Sequence, residues 1–151
     1  MIRQRFILEK YDWLVWVYYA VDGYYVDEIL ERLKSIGCSR SFLREAQSNM
    51  NNGKMNTGLT YSNLKARMTV MVIGLADSPE EYENSITHER RHLEAHISKR
   101  FHLDPYGEDV AYLVGDISYA MHPISKKFVC EHCLKSLKHG GKRGHTYREY
   151  G

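Results

Sequence analysis

Residues 78–101 of this 151-residue chain read SPEEYENSITHERRHLEAHISKRF. Three independent helix-start signals open the stretch. Ser78 offers a hydroxyl to the unpaired amides of a first turn, Pro79 has the backbone angle of a first helical position, and Glu81 stands three residues past the cap. The predicted helix runs to about Phe101. Tyr82, Ile86, Leu93 and Ile97 recur at a spacing of three or four and form a stripe that faces a core. Glu89 falls on the same stripe, and a charged group among core-facing residues needs a chemical reason.

That reason lies in its neighbours. His88 and His92 are four residues apart, so on a helix both imidazoles can address one ion. Neutral histidine, with an ordinary pKa of about 6.5, has the lone pair that zinc requires near neutral pH. His88-Glu89-Arg90-Arg91-His92 is the His-Glu-x-x-His pattern, in which the histidines bind zinc and the glutamate acts as general base on water. The chain has 8 histidines, so a solvated, histidine-rich helix face is the competing reading. The strong cap, an apolar strand before the helix and a second helix after it supply the context the motif requires.

Working outward, Met68 to Leu75 is a short apolar run with β-branched residues and reads as a strand, preceded by a shorter one near Leu59 to Tyr61. Phe6 to Ala20, rich in Trp, Tyr, Val and Ile, predicts at least one long strand before turn chemistry at Asp22-Gly23. Asp27 to Ile36 and Ser41 to Met50 carry helical spacing, and the Asn- and Gly-rich segment from Asn51 to Gly58 reads as a surface connection. On the other side, Asp104-Pro105 signals a second helix carrying Val110, Ala111, Leu113, Val114, Ile117 and Met121, ended by His122-Pro123. Beyond it the chain is basic and reads as irregular. The expected organisation is a single domain over 1–122 and a basic, Cys- and His-containing tail over 123–151, in an α+β fold with a small mixed or antiparallel sheet packed on the histidine-bearing helix.

A catalytic zinc wants a third protein ligand and one open position. His96 lies about 12 Å along the axis from His88, too far to share an ion with both, and is read as an exposed or supporting residue. The acids at the opening of the second helix remain. Glu108 is preferred because it shares a face with Ala111, Tyr112 and Gly115, small residues among them allowing close helix approach; Asp109, on a shorter arm, is the alternative. Both also suit the positive end of a helix dipole without any metal.

The strand Met68 to Leu75, the helix with His88-Glu89-Arg90-Arg91-His92 and the helix opening Gly107-Glu108-Asp109-Val110-Ala111-Tyr112 together resemble a gluzincin, and more narrowly the small single-domain minigluzincins. The resemblance covers roughly residues 67–121. It implies a zincin-like fold, zinc held by His88, His92 and Glu108, Glu89 as base, and hydrolysis of peptide bonds in a peptide or protein substrate paired with the strand before the helix. The position four residues after Glu108, acidic in larger gluzincins, is Tyr112, which either donates to the oxyanion or packs. Tyr119 and His122 are weaker candidates of the same kind. Ser98 stands where a metzincin has its third histidine, which excludes that class.

Lys+Arg 21 against Asp+Glu 19 leaves a formal charge of +2, so the chain as a whole has no strong preference for nucleic acid or an anionic membrane. The three cysteines, an odd set without scaffold density, suit a reducing compartment and a cytoplasmic location. The apolar run Trp13 to Val21 is flanked by Glu9 and Asp12 and lacks a small-residue cleavage site, so it reads as a strand rather than a leader. Two further readings stand beside the peptidase. One is a zincin-like protein that holds metal without hydrolysis. The other is a small nucleic-acid- or protein-binding module built on a structural zinc at Cys130, Cys133, His139 and His145, its basic tail meeting phosphate.

Overall fold

The computed structural model describes residues 1–51, 58–140 and 148–150, with the backbone alone for Tyr24, His139, Gly140 and 148–150. A mixed sheet of five strands lies between two helical layers. Its strands are β1 (Ile2–Leu8), β2 (Trp13–Val21), β3 (Leu59–Asn63), β4 (Met68–Gly74) and β5 (Arg148–Tyr150), arranged β3-β4-β2-β1-β5. The pairs β1/β2 and β3/β4 are antiparallel, whereas β2/β4 and β1/β5 are parallel. The fold class is therefore α+β with a mixed sheet.

The N-terminal stretch expected to hold at least one long strand holds two, paired as a hairpin. A 3-10 turn over Glu9–Tyr11, closed by Asp12 at φ 50, reverses the chain between β1 and β2. Aspartate tolerates this left-handed conformation better than most residues. The apolar run was legible, but the reversal within it carries no Gly or Pro.

Strand β2 reads WLVWVYYAV with no polar alternation because both of its faces are covered. Trp13, Val15, Val17 and Tyr19, with Met71 and Ile73 of β4, form one core against the long helices α3 (Pro79–Phe101) and α4 (Glu108–Val129). Tyr18, Val70 and Val72 form the other against α1 (Val26–Ser35) and α2 (Arg40–Asn51). Edge strand β3 keeps this alternation. Thr60 and Ser62 face α3, whereas the Tyr61 ring packs tilted against Phe42 of α2 with centroids 4.8 Å apart and Asn63 donates to the Ile36 carbonyl at 2.9 Å.

The Ser78 cap forms as expected, its Oγ accepting the Glu81 amide at 3.2 Å, while the Glu81 carboxylate accepts the Asp77 amide at 3.0 Å. Two expectations about α4 are corrected. Asp104 and Pro105 lie in the preceding turn, and the helix starts at Glu108 with Gly107 as its cap. Pro123 does not end it: α4 continues to Val129, and α5 (Glu131–Gly140) follows in what was expected to be irregular chain. Proline inside a helix costs about 3 kcal/mol. Ile124 and Phe128 beyond it are almost fully buried, and each such side chain contributes roughly 1.5–3 kcal/mol. The Gln4 side chain also donates to the Ala120 carbonyl at 2.8 Å, tying this stretch of helix to β1. Position 122/123 thus falls within a continuous helix. Most of the Asn51–Gly58 connection lies outside the described residues; Asn51 ends α2.

Candidate metal centre

Helix α3 presents three faces with different neighbours. Its buried stripe holds Tyr82, Ile86, Glu89, Leu93 and Ile97. One flank carries Arg90, whose guanidinium donates to Ser118 Oγ of α4 at 3.2 Å and to Thr87 Oγ1 at 3.2 Å. The other flank meets β3: Thr60 Oγ1 donates to the Glu89 carbonyl at 3.3 Å, and Ser62 Oγ lies 2.7 Å from His96 Nδ1. At about 100° per residue, His88 and His92 fall on the β3 flank and away from α4. Both rings are exposed.

Their Nε2 atoms are 3.2 Å apart. Two nitrogens bound to one tetrahedral zinc at about 2.0–2.1 Å would be separated by roughly 3.3–3.4 Å, so the imidazoles stand close to the geometry of a shared ion. Among the described residues, His88, Glu89 and His92 form the one group of three potential ligands, with their donor atoms all within 4.8 Å of one another.

Glu89 is 2 % exposed. Its Oε2 is buried without a hydrogen-bond partner, an arrangement that costs stability unless the group has another use. Burial pushes its carboxyl up to about 7, with the Thr60 hydroxyl pulling weakly the other way. A carboxyl balanced near neutral pH both accepts and returns a proton readily, as a general base must. Gly58 closes over it. With φ at +70, a Cβ on Gly58 would come within 3.4 Å of Glu89 Cγ.

The other sequence candidates are not brought to this group. Glu108 is exposed at the first turn of α4. Because Arg90 pairs across to Ser118, Glu108 lies ten residues, or about 15 Å, further along α4, and α4 occupies the wrong flank of α3. Asp109 instead pairs with Lys10 at 3.3 Å. Tyr112 and Tyr119 are 63 % and 87 % exposed and His122 is exposed, all on α4. The face of Glu108, Ala111, Tyr112 and Gly115, expected to approach α3, looks to solvent. The packing face is Val110, Leu113, Ile117 and Met121. Those apolar residues were themselves the signal: the widest apolar stripe, not the smallest side chains, chose the contact.

Sequence reading undervalued His96. It is half-buried, bonded to Ser62, and its ring lies 6.3 Å from that of His92. In the C-terminal segment, Cys130 and Cys133 flank the start of α5 as free thiols. The His139 side chain and His145, the remaining members of the alternative zinc set, lie outside the described residues. No helix among the described residues is long and apolar enough to cross a membrane.

No protein-family model, curated protein or solved structure matches this chain.

Proposed function

We propose that the chain is a zinc-dependent peptidase whose ion is held by His88 and His92, with Glu89 as the base. The observation that carries this reading is the pairing of two imidazole nitrogens 3.2 Å apart with a buried carboxylate oxygen that has no protein partner. The two imidazoles fit zinc, for which neutral histidine is an ordinary ligand. When bound there, zinc supplies Lewis-acid polarisation and lowers the pKa of water towards about 7. Glu89 accepts the proton of the attacking water and returns it to the leaving amine nitrogen. The low-dielectric pocket around Glu89 raises its basicity to match that task. A peptide or protein is the substrate class, and the free thiols suit the cytoplasm.

The position of Glu108 favours a second reading, a zincin-like protein that holds metal without hydrolysing peptides, because a gluzincin needs that carboxylate as its third ligand. Metal content and a single variant separate the two. The first reading expects one zinc per chain, lost in His88→Ala and His92→Ala. It also expects zinc-dependent cleavage of a random peptide library that Glu89→Gln abolishes while retaining zinc. Zinc binding with no cleavage by the wild type supports the second reading. Zinc retained after both histidine changes discards the site.

A further inference from the structure

A chain of hydrogen bonds runs from the buried centre of the sheet to the half-buried His96. Trp13 Nε1 on β2 donates to Thr69 Oγ1 on β4 at 2.8 Å. Thr69 Oγ1 lies 2.7 Å from Ser62 Oγ on β3, and Ser62 Oγ lies 2.7 Å from His96 Nδ1 on α3. Trp13 and Thr69 are completely buried.

The direction of this chain follows from its first member. An indole nitrogen only donates, so Thr69 Oγ1 accepts there and has one proton of its own to place. Its remaining partner is Ser62. If Thr69 donates to Ser62, the Ser62 proton is free to go to His96 Nδ1. The opposite order would have Ser62 donate to Thr69, leaving the buried Thr69 proton without an acceptor, which costs stability. The one arrangement in which every proton of the chain has a partner within it makes Nδ1 of His96 the acceptor. A neutral ring with an accepting Nδ1 carries its single proton on Nε2. Desolvation, followed by the nearby His92 and Lys99, disfavours a second proton.

An Nε2 that bears a proton has no lone pair for a metal. From this geometry, and resting on the peptidase reading above, we propose that His96 is a positioned donor whose Nε2–H bonds the carbonyl oxygen of a substrate entering beside His88 and His92. It lies one helical turn beyond His92, on the β3 flank that those histidines share. A donor fixed before the substrate arrives needs no reorganisation as negative charge grows on that oxygen, which is how preorganised dipoles lower barriers. The Trp13-Thr69-Ser62 chain positions it by setting the tautomer, as outer partners do for metal-site histidines.

The test reads the tautomer first. Long-range proton–nitrogen correlation spectra of the 15N-labelled, metal-free protein at neutral pH should show His96 neutral and protonated on Nε2. In Thr69→Val, which removes the relay with little change of shape, that single tautomer should be lost. A proton on Nδ1, or a charged ring, overturns the proposal. The zinc-loaded protein is then titrated with acetohydroxamate, a carbonyl-bearing zinc ligand. The His96 Nε2–H resonance should move downfield, and an unmoved resonance overturns the donor role. His96→Leu should keep one zinc per chain and lower kcat tenfold or more with KM little changed. His96→Gln, whose amide places an N–H near the same point, should recover most of the loss. Zinc lost from His96→Leu would make His96 a ligand and refute the proposal. A wild type that takes up no zinc refutes the metal reading, and the donor role with it, while the tautomer is still read independently.

Discussion

Gly58 and Val72 approach so closely that a Cβ on the glycine would lie 2.1 Å from the Val72 carbonyl oxygen. The contact joins the start of β3 to β4 and seats the Gly58 backbone against Glu89. Gly58→Ala is expected to destabilise the protein by roughly 2–4 kcal/mol, combining left-handed backbone strain with an overpacking cost against an oxygen that cannot swing aside. Urea unfolding followed by circular dichroism measures it. An alanine variant as stable as the wild type would mean that β3 and β4 can separate here at little cost.

Zinc should stabilise the folded chain by mass action. A free concentration one hundred times Kd contributes about 2.7 kcal/mol, visible as a rise in Tm. His88→Ala and His92→Ala should abolish that rise, whereas Glu108→Ala should leave it within error. A Glu108→Ala variant that loses the zinc response would show that α4 does deliver a ligand.

The metal-free protein carries a pH signature. Glu89 has a folded pKa raised to about 7 from 4.5, burial being the larger cause. Its protonated form is the better accommodated, so its favourable contribution is fully present below pH 4.5 and is lost as pH rises through about 7. The difference amounts to about 3 kcal/mol at most. Glu89→Gln should flatten this part of the stability profile, becoming more stable than the wild type above pH 7 when chelator is present. Parallel profiles for the two proteins would place the carboxylate in water rather than in the core.

The segment after Pro123 belongs to the core. Phe128 is 2 % exposed, stacks on Tyr19 with centroids 5.4 Å apart and meets Tyr82 at 5.0 Å. Phe128→Ala should cost about 3–5 kcal/mol. A cost below about 1 kcal/mol would mean that the end of α4 packs loosely and that chain beyond position 122 is dispensable.

The elements with strong local chemistry were legible without coordinates. Ser78, Pro79 and Glu81 wrote the start of α3, and β4, α1 and α2 stood out by periodicity. The stripe through Ile86, Glu89, Leu93 and Ile97 placed the glutamate correctly among buried residues. What escaped was decided by contacts distant in sequence. The β1–β2 reversal uses the Glu9–Tyr11 turn closed by Asp12, with Tyr11 buried in the core, and the passage of α4 through Pro123 depends on burial against β1 and β2. Glu108 stands exposed and apart from the pair, a placement not legible in sequence because one helix's own periodicity does not tell which flank of its neighbour it will cover. Spacing sets His96 two turns from His88, but could not show that Ser62 would meet it from β3, with Thr69 of β4 behind.

Because Ile86, Glu89 and Leu93 are sunk in the core while His88 and His92 stand on the adjoining flank, the two sets are locked in angular phase along a single rod. Deleting one residue between His88 and His92 would turn His92, Leu93 and Ile97 by about 100° relative to Ile86 and His88. The two halves of the apolar stripe would then no longer face the sheet together, and the two imidazoles would part. The bite of the two rings is thereby slaved to the hydrophobic seam beneath them, and drift in α3 that preserves the fold also preserves the chelate.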